Sequence, residues 1–98
     1  MENISLEPYE NGLQAFVARD GEEALGEMVV KISGDIMTVY HTEVFEKAEG
    51  KGLGKVLLKE MVDFAMQHQL KVVPLCVFVQ GQFKRHPKLY SAVWQKGN

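Results

Sequence analysis

HTEVFEKAEGKGLGKVLL, residues 41–58, begins as the end of an extended segment and finishes as an amphipathic helical pattern. Between the two lie Gly50, Gly52 and Gly54, with Lys51 and Lys55 beside them. A glycine-rich turn feeding a helix suits an anion. The first helical turn leaves N–H groups unpaired, and the helix dipole adds partial positive charge there. Glycine lets successive N–H groups converge with no side chain between them and a phosphate. A flexible glycine-rich cap would use the same residues. The position of the triplet, between a strand and the one long helical pattern with lysines on both sides, favours phosphate binding over that plainer reading.

Two common phosphate motifs do not fit. A nucleotide P-loop needs glycine where Glu49 stands and Ser or Thr where Val56 stands. The dinucleotide fingerprint fails as well, because the run is G-x-G-x-G and follows an antiparallel meander instead of opening a parallel unit.

Upstream, residues 13–19 (LQAFVAR), 24–32 (ALGEMVVKI) and 36–45 (IMTVYHTEVF) read as three strands joined at Asp20-Gly21 and Ser33-Gly34-Asp35, an antiparallel meander. Residues 1–12 are polar, punctuated by Pro8 and Gly12, and read as a lead-in. Downstream, Leu53, Leu57, Met61, Phe64, Ala65 and His68 recur at helical spacing, which predicts a helix to about Gln69. Residues 71–79 (KVVPLCVFV) are too apolar for a half-exposed strand. They predict a strand buried on both faces and parallel to its predecessor, completing a right-handed crossover. Pro74 cannot donate to a ladder and marks an edge, a bulge or a parting of strands. A loop and a short last helix, with Pro87 in its first turn, complete the pattern. The fold class expected is α+β: a three-stranded meander, a crossover helix, a parallel fourth strand splayed from the third, and a short C-terminal helix.

With 98 residues, one domain over residues 1–98 is expected. The formal charge of -2 argues against a nucleic-acid partner. Cys76 is the single cysteine, so no intramolecular disulfide forms and a reducing compartment fits. The first residues lack the pattern of a signal peptide, and no apolar run approaches the ~20 residues of a bilayer span. A cytoplasmic, soluble monomer with no membrane contact is expected.

EGKGLG, following a strand and opening a helix, resembles the pyrophosphate loop of the Gcn5-related N-acetyltransferases, whose pattern is Arg/Gln-x-x-Gly-x-Gly/Ala. Gly52 and Gly54 match the small positions, and Glu49 stands where Arg or Gln is usual. The wider pattern HTEV…EGKGLGK…A…PLCVFV…F…HP, from His41 to Pro87, is similar to a small single-domain subfamily of these proteins. The resemblance implies acetyl-coenzyme A as cofactor, held in the cleft where two parallel strands splay. Its pyrophosphate would contact Gly50, Lys51, Gly52, Leu53, Gly54 and Lys55, and its pantetheine Val44 and Phe45. A carboxylate beside two phosphates costs affinity unless Glu49 turns away, onto Lys47 or Lys51.

Acyl transfer from a thioester to an amine needs a group to take the amine proton and a way to stabilise the departing thiolate. Strand alternation predicts Met37, Val39, His41, Glu43 and Phe45 on one face. His41 and Glu43 would then project side by side before the cofactor loop, as general bases or as groups that orient a water. Each also has a plain structural reading, a hydrogen-bonded imidazole and a solvent-facing strand end. Cys76 in an apolar strand reads as buried filler. The resemblance places it near the coenzyme thiol, which adds an acyl-cysteine step as a second reading.

Lys84, Arg85 and His86, with Lys88, are either solvated loop charge or contacts to the adenosine end of the coenzyme. Tyr40 reads as core. Tyr90 is a weak candidate for protonating the thiolate. The Asp20-Gly21 turn leaves no room for the helices that larger family members insert there, so the acceptor side should be open. That suits an amine on a small molecule such as a polyamine, or on a protein. The acidic residues Glu2, Glu7, Glu10, Glu22, Glu23 and Glu27 favour a cationic acceptor. The alternative is a non-catalytic module that binds acyl-coenzyme A or docks a partner.

Overall fold

The structure is a computed structural model and describes residues 3–96. Strands β1 (Asn3–Pro8), β2 (Gln14–Asp20), β3 (Glu23–Ser33), β4 (Ile36–Val44) and β5 (Lys71–Pro74) form one sheet in the order β1-β2-β3-β4-β5. The first four pair antiparallel, and β5 runs parallel to β4. Helix α1 (Leu53–Gln67) makes the crossover, and α2 (Val77–Arg85) and α3 (Pro87–Tyr90) follow β5.

The meander, the crossover and the parallel strand are as expected, while the two ends differ. Residues 3–8, read as a lead-in, form an edge strand. Ile4 and Leu6 pack on the core, and the Arg19 guanidinium grips the Glu7 carboxylate at 2.8 and 2.9 Å. That contact holds the Glu7 carboxyl below its ordinary value, because the hydrogen bonds favour the charged form. Glu2 lies outside the described residues.

At the other end, the strand expected over 71–79 stops at Pro74. Leu75 and Cys76 both donate their main-chain N–H to the Val39 carbonyl, each at 3.0 Å, and α2 begins at Val77. Cys76 is therefore the residue that caps α2, not a strand residue, and residues 80–85 are helix, not loop. The buried positions Val79, Gln82 and Phe83 have helical spacing, a signal that the β-branched run around Phe78 concealed. β5 is also not buried on both faces, since Lys71 is exposed and Val73 only half-buried.

The main core lies on one face of the sheet. Phe16, Met28, Val30, Met37 and Val39 meet Leu57, Met61 and Ala65 of α1 and Val79 and Phe83 of α2. Phe83 stacks on Tyr90 with ring centroids 4.6 Å apart. On the other face, Ala15, Val17 and Val29 are buried beneath Tyr9, Leu13 and Ala24, and among the described residues no α-helix covers them.

One irregularity decides which side chains face which way. The β3–β4 register passes from Val30↔Val39 to Val29↔His41, leaving Tyr40 as the extra residue of a bulge. Past the bulge, Thr42 and Val44 take the helix side, while His41 and Glu43 lie on the bare face. The expected single face of Met37, Val39, His41, Glu43 and Phe45 is thus broken: Met37 and Val39 are in the core, opposite His41 and Glu43. Tyr40, read as core, is 43% exposed. Where the first turn of α1 crosses the sheet, a Cβ on Gly26 would lie 2.9 Å from the Glu43 carbonyl oxygen and 3.2 Å from Leu53 Cδ2. Glycine is what lets strand and helix approach there.

Candidate functional site

β4 and β5 pair from Ile36↔Lys71 to Val39↔Pro74 and then part, β4 running on to Val44 while the other chain turns into α2. The Phe45 N–H donates to the Leu25 carbonyl at 2.9 Å. In an antiparallel ladder the hydrogen-bonded residues alternate, so residues 41, 43 and 45 direct their main chain toward β3. Thr42 and Val44 therefore direct theirs into the gap. Of the two expected pantetheine contacts, Val44 presents its main chain there. Phe45 has its N–H on Leu25, and its carbonyl accepts the Ala48 N–H at 2.9 Å.

The loop at the end of the gap shows what the three glycines do. Gly50 and Gly52 have φ of 82° and 75°, which side chains with a Cβ adopt only at a cost. Gly52 caps α1, and its carbonyl accepts the N–H groups of Lys55 and Val56. The N–H groups of residues 50–54 donate to no main-chain carbonyl among the described residues. Gly54 has a different task, since a Cβ there would sit 3.4 Å from the Phe78 ring, so α2 packs directly against the start of α1. Lys51 and Lys55 are exposed beside these donors. Glu49 is exposed as well, and Lys47, one of its two expected partners, is paired with Glu23 instead.

The three expected catalytic side chains divide between the two sides of β4. On the helix side, Cys76 is buried with its Sγ 3.3 Å from the Thr42 hydroxyl, so Thr42 joins the site. Sequence alternation hid Thr42, because nothing at Tyr40 announces a bulge. On the bare side, His41 Nε2 lies 3.6 Å from Glu43 Oε1, with both side chains more than half exposed. Glu43 pairs across the ladder with Glu27, whose carboxylate accepts the Tyr9 hydroxyl at 3.3 Å. The negative charge of Glu27 first, then burial, with Glu10 and Glu43 adding, makes that hydroxyl harder to ionise than usual. Tyr9, Glu27 and Glu43 thus cluster on this face, a neighbourhood that the place of Tyr9 in the lead-in gave no reason to expect.

The basic cluster does not act as one group. Lys84 lies with Trp94 and Val73 beside the C-terminal segment, while the Arg85 guanidinium lies over Gly81 of its own helix. His86 links α2 to α3.

Residues 15–93 match the family model described as GCN5-related N-acetyl-transferase. Over 52 residues, 53% of the chain, it is 35% identical to Protein NATD1 of Homo sapiens and, equally, of Mus musculus. That match covers 46% of the human protein, so the chain spans about half the length of these relatives. A GCN5-like protein from Staphylococcus aureus, solved by solution NMR, is 27% identical, with a TM-score of 0.69 over 100% of this chain and 94% of that one. Ribosomal-protein-alanine N-acetyltransferase from Brucella melitensis biovar Abortus 2308 aligns over 91% of this chain and 66% of its own, with a TM-score of 0.61. At 21% identity, that second likeness is one of fold.

Proposed function

The chain belongs to the GCN5-related N-acetyltransferase family, and from that premise we propose that it binds acetyl-coenzyme A in the gap between β4 and β5 and passes the acetyl group to an amine. One observation carries this reading: unpaired N–H groups at residues 50–54 adjoin two strands that part. A diphosphate suits that loop, since unpaired N–H groups, a helix N-terminus and two lysines all favour negative charge. An extended chain of amides fits the free main chain of Thr42 and Val44 as a further strand would.

The coenzyme supplies an acetyl thioester whose carbonyl an amine can attack. This chain's residues hold that group and manage the protons. Thr42 and Cys76 line the helix side of the gap, and His41 and Glu43 the bare side, from which an amine arrives unobstructed. Glu43, or a water it orients with His41, takes the amine proton as nitrogen bonds to the acetyl carbon. The carbon–sulfur bond would break as the amide forms, and the proton taken from the amine, returned through Glu43 or water, would convert the departing thiolate to the thiol.

Separation of Cys76 from His41 and Glu43 by the strand favours direct attack over an acetyl-cysteine. In the covalent route, Cys76 Sγ would take the acetyl group and release coenzyme A before the amine arrived. The carboxylates of Glu27 and Glu43, paired across the ladder on the bare face, support a cationic acceptor, a polyamine or a lysine-bearing segment.

Release of free thiol from acetyl-coenzyme A, assayed against a panel of amines and lysine peptides, tests this. Acceptor-dependent release is expected. Coenzyme binding without release by any acceptor would leave a binding module in place of an enzyme. Substituting Cys76→Ala separates the routes, because direct attack predicts turnover that persists.

A further inference from the structure

Along β1 the main chain alternates between two directions. The Tyr9 N–H donates to the Leu13 carbonyl at 2.9 Å, and the register runs unbroken from Pro8↔Gln14 to Asn3↔Arg19. Asn3, Ser5 and Glu7 therefore turn their N–H and C=O groups toward β2, while Ile4, Leu6 and Pro8 turn theirs outward. Pro8 fits this phase, since a strand tolerates proline where the missing N–H would face away from the sheet.

Among the described residues no strand lies on the outer side of β1. The opposite edge differs. Beside β5, the Val72 N–H donates to the Val93 carbonyl at 2.7 Å and the Gln95 N–H to the Val72 carbonyl at 2.9 Å. Exposed edges are usually blunted by a lysine, a bulge or an inward charge. β1 has neither lysine nor bulge, and its carboxylate, Glu7, is tied to Arg19. Ile4 and Leu6 are only half-buried, and with Phe16 and Phe64 they line a groove of about 280 Å³ between β1 and α1.

We propose that this edge pairs with the same edge of a second copy of the chain, antiparallel about a two-fold axis at Ser5. The outward pattern is self-complementary there. Ile4 lies opposite Leu6 of the second copy, so the outward N–H of each meets a carbonyl. Asn3 faces Glu7 of the second copy, and no like charges oppose one another. On the helix side, Ile4 and Leu6 of both copies come together over apolar surface that α1 leaves open. An axis at Leu6 would set Ile4 against Pro8 and lose a bond, and one at Glu7 would oppose two carboxylates. The pattern selects a second copy over an unrelated strand, because each residue of the edge is matched by another of the same edge. This pairing is independent of the coenzyme reading and replaces the monomer expected from the sequence.

Amide hydrogen exchange read by NMR at rising concentration, beside sedimentation equilibrium, tests the pairing on the full chain. One short strand contact falls below the roughly 1,600 Å² of a standard interface, so association is expected at about 0.1–1 mM. Over that range the Ile4 and Leu6 amides should gain protection as the mass approaches that of two chains. Ser5→Lys, at an exposed position, should weaken the pair about fivefold by setting like charges opposite one another. Ser5→Cys should cross-link under oxidised glutathione, whereas Asn3→Cys, whose counterpart is Glu7, should not. A mass that stays at one chain at millimolar concentration would overturn the proposal. So would association that leaves the Ile4 and Leu6 amides unprotected, or that Ser5→Lys does not touch, because the interface would then lie elsewhere. Equal cross-linking through Ser5→Cys and Asn3→Cys would contradict the axis at Ser5.

Discussion

On one face of the sheet, Phe16, Met28, Val30, Met37 and Val39 lie beneath α1 and α2; on the other, Ala15, Val17 and Val29 are roofed by Tyr9, Leu13 and Ala24. The helical face carries the large fully buried side chains, Phe83, Met28, Met37, Leu57 and Met61 among them. The bare face carries small ones, and beside them the polar groups Glu27, His41 and Glu43. The difference separates two tasks. A packed helical layer fixes the loop at residues 50–54, as the proposed anchoring of a coenzyme there would require. Under the function proposed, an uncovered face would leave the reacting end of the coenzyme open to an acceptor. β4 belongs to both, and its bulge at Tyr40 turns Thr42 to one side and His41 and Glu43 to the other.

The widest gap between the faces should appear in stability. Phe83 is fully buried and stacked on Tyr90, so Phe83→Ala should cost about 3–5 kcal/mol in urea unfolding. Val29→Ala on the bare face should cost about 1.5 kcal/mol, the value for the carbon atoms lost. Equal losses would break the division of the core.

Chemistry should divide the opposite way. Glu43→Gln should lower kcat about a hundredfold, as loss of a general base does, with coenzyme A affinity unchanged. Parallel loss of binding and turnover would instead give Glu43 a part in the cradle.

Gly26 joins the two faces. Gly26→Ala would press on the Glu43 carbonyl at 2.9 Å and on Leu53 at 3.2 Å, so an overpacking cost of about 1–3 kcal/mol is expected. Coenzyme affinity should fall with it, because Leu53 opens the helix behind the cradle. A loss of stability with affinity intact would uncouple the cradle from the sheet.

The smallest effect belongs to the edge. Arg19 holds the Glu7 carboxyl below its ordinary value of 4.5, so this contact stabilises fully above that value. The contribution is lost as the pH falls through the lower, folded value. Glu7→Gln should remove that part of the acid dependence of stability, and an unchanged acid limb would mean that β1 is held by Ile4 and Leu6 alone.

Much of the helical face was legible in the sequence, and little of the bare one. The path from β4 through the glycines into α1 was clear because a strand period, three glycines and a helical period follow one another without conflict. β5 and α2 merged into one expected strand because Val77, Phe78 and Val79 favour extended structure, while the helical signal depends on Gln82, a polar residue in a buried position. β1 was missed because an edge strand needs only Ile4 and Leu6 on the core, too few apolar positions to outweigh its polar neighbours. The bulge carries no local mark, since Val39, Tyr40 and His41 are ordinary strand residues. It is set by pairing with Val29 and Val30, which local sequence does not encode. Alternation alone therefore gives no reason to single out Thr42, and it groups Met37 and Val39 with His41 and Glu43, from which the bulge separates them.

Calorimetric titration of coenzyme A into the native chain and into Gly52→Val bears on the cradle most directly. A Cβ at residue 52 meets nothing within 4 Å, so the variant should fold with a backbone strain of about 1–2 kcal/mol and lose its arrangement of N–H donors. Saturable heat at one coenzyme per chain is expected for the native protein, with affinity at least about tenfold weaker in the variant, equivalent to one charge-assisted hydrogen bond. Heat of dilution alone at millimolar coenzyme A, or equal affinity in both proteins, would contradict the account.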